Sequence, residues 1–307
     1  MSNKSAINIA VPVAKRPRIP AGGLHHPPDI AWGTLLLFVA ALTLWIAALL
    51  AAVNGIIPAA VAILLQTVAT FMQFTVLHDG VHRSLARSYP RVNMFVTNIA
   101  GAFLGLIGVG AAFRYVHFKH HRHTNETGSD PDLWSGKGLR WLMPLHWATA
   151  DSYYGYVILK DWLIIPLRER VQILFGITVL VSIFGTCAWL GYAREALLYW
   201  ILPGRLAITW LAFAFNYLPH HPHEVEQRHN PYASTNVREG LEPLSNWIFL
   251  YQNYHLIHHL YPSVPFYCYA KIWRNNRSKF VSLGAPVLRW YGSVPDYRQN
   301  IGRKSGE

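Results

Sequence analysis

The sequence predicts an all-α integral membrane protein. Four transmembrane helices would form two hairpins, with a re-entrant or interfacial segment between them and a histidine-rich cap on the cytoplasmic side. Three observations carry this expectation. The 307 residues are 52% hydrophobic and only 14% charged, with a mean hydropathy of +0.19, a balance suited to lipid rather than water. Four apolar runs are long enough to cross a hydrocarbon core of about 30 Å. Eight of the sixteen histidines fall in three short clusters, far apart in the chain and each near the end of such a run or in a polar stretch.

Residues 1–29 are Pro-rich and basic through Lys4, Lys15, Arg16 and Arg18, and are expected to form a disordered cytoplasmic tail. They lack the pattern of a cleavable signal, so the first span should itself direct insertion. Residues 31–53 carry no charge and form that span. Asn54-Gly55 makes a turn, and residues 56–76 return as the second span, setting His78 and His82 at its cytoplasmic mouth.

Residues 92–113 are also uncharged, and hydropathy alone would send them across the membrane. That crossing would put a bilayer between His78 and His82 on one side and His117, His120 and His121 on the other. Gly101, Gly105, Gly108 and Gly110 weaken a helix here and suit a bend. The segment should therefore dip in and return to the side it left, under protein cover.

Residues 114–170 hold the second cluster, then Asp130-Pro-Asp132, then aromatic residues from Trp141 to Trp162 alternating with polar ones. That alternation fits helices lying at the interface. A third span is expected over 171–192, with Arg194 and Glu195 in a far-side turn. The fourth, 196–218, is interrupted by Pro203-Gly204-Arg205, so either Arg205 snorkels or the first turn lies flat. Residues 30–290 are expected to form one membrane domain, and 291–307 a flexible tail. Four spans place both termini in the cytoplasm, and the Lys and Arg distribution agrees.

The formal charge of +12 raises the possibility of nucleic acid. The basic residues flank apolar spans, however, and no nucleic-acid motif accompanies them, so no such partner is expected. An anionic bilayer accounts for the excess. Lys271, Arg274, Arg277 and Lys279 form a solvated flank or a docking patch for an acidic carrier. Cys187 sits in an apolar span and Cys268 in a polar segment, which argues against a disulfide framework.

The clusters read His78-Asp-Gly-Val-His82, His117-Phe-Lys-His120-His121 and His255-Leu-Ile-His258-His259. Spacings of three and four place side chains on one face of a helical turn. Neutral imidazole is the commonest protein metal ligand, and eight imidazoles exceed what one tetrahedral ion takes. A two-metal site follows. Asn216 and His220, four apart at the end of the fourth span, add one further imidazole and a side chain that would hold an ion through water; His221 competes with His220. Ligation without thiolate or carboxylate excludes a structural zinc cluster, magnesium and calcium, and leaves iron, copper, nickel or zinc. Asp79, Asp130, Asp132 and Glu224 are the acids placed to accept from the ligands' second nitrogens. Two open-sided ions facing lipid point to dioxygen chemistry on an apolar substrate, because side chains alone supply no oxidant for an unactivated C–H bond.

In the order HxxxH, HxxHH and HxxHH, with four spans, residues 31–274 resemble the membrane fatty acid desaturase superfamily. The resemblance implies two iron ions, dioxygen as cosubstrate and a separate electron carrier of ferredoxin or cytochrome type. It implies metal ligands at His78, His82, His117, His120, His121, His255, His258 and His259, with His220 as the extra ligand and Asn216 holding a water. His123 stands where many relatives have Tyr and is taken as a neighbour of the ligands. Asn216-Tyr-Leu-Pro-His-His-Pro-His223 and Gln252-Asn-Tyr-His-Leu-Ile-His-His259 are similar to bacterial β-carotene hydroxylase-like members. The implied function is oxygen-dependent oxidation of lipid C–H bonds, by desaturation or hydroxylation of a fatty acyl chain, with carotenoid hydroxylation as the alternative. The implied location is a bacterial inner membrane. A metal-handling transporter is the rival from another class, but it would place its ligands at mid-membrane, and these histidines lie at span ends.

Overall fold

The computed structural model describes residues 28–290, with the side chains of Leu106 and Ile107 left aside. The two predicted tails, apart from Pro28 and Asp29, and His25 and His26 lie outside the described residues. Four helices are long and apolar enough to cross a membrane: α1 (Trp32–Val53), α2 (Ala59–Val81), α7 (Leu167–Trp189) and α8 (Ala193–Tyr217). At about 1.5 Å per residue, even the 22 residues of α1 reach about 33 Å, the thickness of the hydrocarbon layer.

α1 packs along α2 through Thr34, Ala41 and Ala48, which are buried. Small side chains let two helix backbones approach closely where lipid offers no hydrophobic drive to association. None of the larger residues of α1 is buried, and several, such as Leu36 and Leu50, are exposed, as a lipid-facing surface requires. Asn54 closes α1 by donating from Nδ2 to the carbonyl of Leu50 (2.8 Å).

α2 extends five residues beyond the predicted end of the second span. Hydropathy falls there because His78 and Asp79 are polar, yet both are buried against protein, as are Gln66 and Gln73 earlier in the helix. A hydropathy window reads their polarity as an exit from the membrane.

The uncharged segment after His82 does turn back. It forms α3 (Pro90–Ala102) and α4 (Gly110–His123), joined by a 3-10 turn over Gly105–Gly108. The two arms meet at glycine, since a Cβ on Gly101 would lie 1.8 Å from the Gly108 carbonyl oxygen. Only residues without side chains permit that approach.

Two short helices follow, α5 (Met143–Ala148) and α6 (Ala150–Lys160). α7 starts four residues earlier than predicted, because Glu169 in its first turn is held by Arg114 of α4 at 2.8 Å. α8 corrects the expectation of an interrupted span. It runs through Pro203 as one helix, with π-turns at Leu197–Ile201 and Ala212–Tyr217. Proline removes a backbone donor and crowds the preceding turn, and the wider π-turn just before Pro203 absorbs that conflict. Arg205 is neutralised by Asp151 and donates a further hydrogen bond to the carbonyl of Ala148.

Beyond α8 the chain is not wholly helical, a second correction. β1 (Val237–Glu239) pairs in parallel with β2 (Val287–Arg289). Between them lie α9 (Leu244–Ile248), α10 (His255–Leu260) and α11 (Tyr269–Ser282). Glu239 ties the unit together by accepting from Trp273 Nε1 (2.8 Å) and Arg277 Nε (2.6 Å) on α11. The main core joins residues of α2, α3, α8, α10 and α11, so α10 is packed into the end of the helix bundle.

Candidate metal centre

Four elements converge at the end of α2. The last turn of α2 carries His78, and His82 caps its C-terminus. α4 carries His117, His120 and His121, and α10 begins at His255 after a left-handed residue, Tyr251, and a 3-10 turn. His220 follows the second π-turn of α8, where the Leu218 amide donates to Phe213 at 2.9 Å.

The imidazoles assemble into two groups, one of His78, His82, His117 and His258 and one of His120, His220, His255 and His259. His121 joins the first, with its Nε2 2.8 Å from His258 Nε2 and 3.1 Å from His117 Nε2. His82 and His117 bring their Nε2 atoms to 2.8 Å. In the second group His259 Nε2 lies 3.2 Å from His120 Nε2 and 3.1 Å from His255 Nε2. The ring of His121 stacks on that of His259, with centroids 4.3 Å apart, and so links the groups.

These contacts cannot all be hydrogen bonds. His120 Nδ1 donates to Asp130 Oδ1 (2.8 Å), His255 Nδ1 to Gln252 Oε1 (2.7 Å) and His259 Nδ1 to Gln227 Oε1 (3.2 Å). The Gln227 amide is oriented by its own donation to the His121 carbonyl at 2.7 Å. With the proton of each neutral ring on Nδ1, every facing Nε2 presents a lone pair. Three lone pairs about 3 Å apart repel unless a cation lies among them. Two nitrogens held at right angles about 2.1 Å from one ion are themselves about 3.0 Å apart, which is the spacing observed. Both ring nitrogens of His78 and of His220 are buried without a partner, a loss that a metal bond would repair. The donor set fits an ion in each group.

Electrostatics agree. Burial pushes the imidazoles of His117, His121, His220, His255, His258 and His259 well below their ordinary range, and that of His82 down to about 3. They are therefore neutral ligands at pH 7. His120 is the exception: burial opposes its charge, but Asp132 and Asp130 outweigh burial and raise it to about 9. The carboxylates favour a positive charge at the spot where a cation would sit.

Other sequence candidates divide. Asp130 accepts from His120, and Asp132 lies 3.5 Å from the same nitrogen. Tyr154 donates to Asp132 Oδ1, and Asn216 Nδ2 donates to the Tyr154 hydroxyl at 2.7 Å. His220 is buried and in the second group, whereas His221 is exposed and lies tilted against the ring of Tyr217. Two of these acquire other partners. Asp79 accepts from Thr34 Oγ1 (2.8 Å) and so fastens α1 to α2. His123 turns away to Glu126 at 3.0 Å. Glu224 lines a polar cavity together with His220, His221 and His223. The sequence reading missed Gln227, Gln252, Tyr154 and Tyr269, whose hydroxyl lies 3.1 Å from His258 Nδ1. Gln252 had a signal, three residues before His255; Gln227 and Tyr269 had none.

Beside the histidines lies a cavity of about 40 Å³, lined by Phe74, Leu77, Leu104, Phe113, Ile208 and Leu211 together with Asp151, Tyr154 and Asn216. The fold and site thus define a helical membrane protein with a paired histidine centre beside a largely apolar cavity. The fatty acid desaturase family model matches residues 54–291, and the chain belongs to that family, among the membrane di-iron desaturases and hydroxylases. It is similar to β-carotene ketolase of Paracoccus sp. (strain PC1), 27% identical over 201 residues, which cover 63% of this chain and 70% of the relative. A β-carotene ketolase of Paracoccus sp. (strain N81106 / MBIC 01143) is 28% identical over 199 residues, with the same coverage. Dihydrorhizobitoxine desaturase of Bradyrhizobium elkanii is 25% identical over 225 residues, covering 64% of this chain and 61% of the relative.

Proposed function

We propose that the protein is an oxygen-dependent di-iron oxidoreductase that oxidises C–H bonds of an apolar lipid in the membrane. The observation that carries the reading is the convergence of buried imidazoles from four separate parts of the chain. His78, His82, His117, His121 and His258 would hold one iron, and His120, His220, His255 and His259 the other. When bound, the two ions supply the activation of dioxygen that side chains cannot.

The chain's own residues do the rest. Asp130, Gln252 and Gln227 accept hydrogen bonds from the Nδ1–H groups of His120, His255 and His259 and so orient those three rings toward the ions. Asn216 gives its amide N–H to Tyr154, and its carbonyl oxygen is left to orient a water beside the ions. Phe74, Phe113, Ile208 and Leu211 present an apolar surface beside the histidines, which suits an apolar chain and disfavours bulk water. Electrons come from a separate ferredoxin- or cytochrome-type carrier. Residues 30–290 form the membrane domain in a bacterial inner membrane, with the spans as two hairpins and the histidine cap and both termini on the cytoplasmic side.

A fatty acyl chain is the first substrate reading. The names of the two Paracoccus relatives favour a second, a carotenoid. Expression in a host that makes both membrane lipids and β-carotene, followed by mass spectrometry, tests both. Loss of two hydrogens from an acyl chain, or an added oxygen on either lipid, is the expected result. Unchanged lipids and carotenoids, with the iron sites filled and a carrier supplied, would overturn the proposal.

A further inference from the structure

One short helix of the cap is turned inside out. α9 (Leu244–Ile248) buries Ser245 and leaves Leu244, Trp247 and Ile248 exposed, Trp247 by 75%. Its other polar residue, Asn246, is held by the protein, its Oδ1 accepting from Asn253 Nδ2 at 3.0 Å. Leu244, Trp247 and Ile248 are three and four apart, the spacing of one helical face. Leu241, just ahead of the helix, is exposed as well, on a left-handed backbone (φ 61°). A helix against water turns its apolar face to the protein and its polar face out. The reverse order marks a contact with something apolar.

We propose that Leu241, Leu244, Trp247 and Ile248 are seated in the lipid leaflet at the histidine end of the spans, so that the cap holds the membrane by an interfacial anchor of its own. Two contacts fix the depth of this segment against α8. At its far end the ring of Phe249 stacks on Trp210 of α8, with centroids 6.2 Å apart and planes at 16°. At its near end Arg238 donates from Nη2 to the carbonyl of Leu218, the residue after α8, at 3.2 Å. Trp210 and Leu218 are eight residues apart, so the two contacts differ in depth by about 12 Å along the helix axis. Trp290 bridges them: its ring stacks on Phe249 (4.7 Å) and lies under the Arg238 guanidinium (5.4 Å). Aromatic rings thus lie at the level of the apolar helix and a guanidinium at its end, the layering of a membrane interface, where tryptophan is enriched.

Lipid is the occupant because the face continues a surface already turned to lipid. Leu206 and Trp210 of α8 are exposed, and Phe249 joins Trp210 to α9. Four side chains are also far fewer than the roughly 20–30 residues a side of a stable protein interface. Glu242, exposed beside Leu241, accepts from the Gly240 amide at 3.1 Å, and an interfacial depth leaves its carboxylate within reach of water. Phe249 stands six residues before His255, so the anchor steadies the segment that leads into the third histidine cluster.

The test is collision of a nitroxide label with oxygen, which concentrates in lipid, and with a water-soluble nickel chelate. The full-length protein is reconstituted in phosphatidylcholine vesicles. Labels are placed singly by Leu244→Cys and Trp247→Cys, with Cys187→Ala and Cys268→Ala removing the native thiols. Phe175→Cys, on the exposed face of α7, and Arg228→Cys, in an exposed turn of the cap, mark lipid and water. Labels at positions 244 and 247 should shift toward oxygen and away from the chelate relative to position 228, approaching position 175. Collision with the chelate as frequent as at position 228 overturns the proposal. Exclusion of both reagents also overturns it, because protein would then cover the face; spectral broadening between labels would identify that protein as a second copy. If Trp247→Cys does not fold, Leu244→Cys decides. The measurement needs the spans but neither iron nor turnover, so its outcome is independent of the reaction proposed above.

Discussion

Gly101 and Gly108 lie back to back, each so close that a Cβ on either would sit 1.8 Å from the other's carbonyl oxygen. This contact closes the return of α3 into α4 and so brings His117 back to His82. Substituting Gly101→Ala should separate the two arms. The overlap is with backbone, which cannot rotate away, so the expected destabilisation exceeds about 3 kcal/mol. Thermal unfolding in detergent and bound iron measure it; a variant that unfolds like the original and holds as much iron would contradict the role of the contact.

The ligand assignment separates residues that the sequence places side by side. His120→Ala should reduce bound iron from two per chain to at most one and abolish turnover. His123→Ala, three residues on and turned toward Glu126, should keep both. Metal analysis with an activity assay reads the difference. Equal iron in the two variants would show that the groups are wrongly drawn.

Gln252 fixes the proton of His255 on Nδ1 by accepting from it at 2.7 Å. Gln252→Leu keeps the bulk and removes the acceptor, leaving a buried N–H unpaired. Iron affinity should fall about 10–100-fold, the usual cost of losing such a support. Competition with a chelator measures it, and an unchanged affinity would argue that His255 needs no orientation.

Glu239 gives the cap a dependence on pH. Burial pushes its carboxyl up, but the hydrogen bonds from Arg277 and Trp273 outweigh burial and hold it below its ordinary value. A depressed carboxylate stabilises the fold above its unfolded pKa, about 4.3, and loses that contribution as pH falls through the folded value. The partners are partly exposed, so the effect should be under about 1 kcal/mol. Glu239→Gln should therefore lower stability slightly at pH 7, and the gap from the unaltered protein should narrow below about pH 4. A gap that widens on acidification would reverse the assignment.

Much of this was legible from residue spacing. The histidine clusters announced themselves, and the need to bring His82 and His117 together overruled hydropathy at residues 92–113. Hydropathy failed where polarity is buried by protein rather than by water, as at His78 and Asp79 in α2. It failed again at Pro203, where the sequence shows a helix breaker and the structure supplies a π-turn. The supports of the site were the least legible. Asp130 is close in sequence to its histidine, but Gln227 reaches His259 from 32 residues away and Tyr269 reaches His258 from beyond the end of α10. No local pattern marks such pairs, because the fold creates them.

The distribution of ligands along the chain has a consequence for biosynthesis. One group of imidazoles needs His258 and the other needs His255 and His259, all from a segment synthesised long after α2 and α4. Neither histidine group is complete until residue 259 has left the ribosome and α10 has docked onto the bundle. Metal loading is thus a late event in the life of the chain, and a truncation anywhere before residue 255 leaves a membrane-inserted product with no finished site to load.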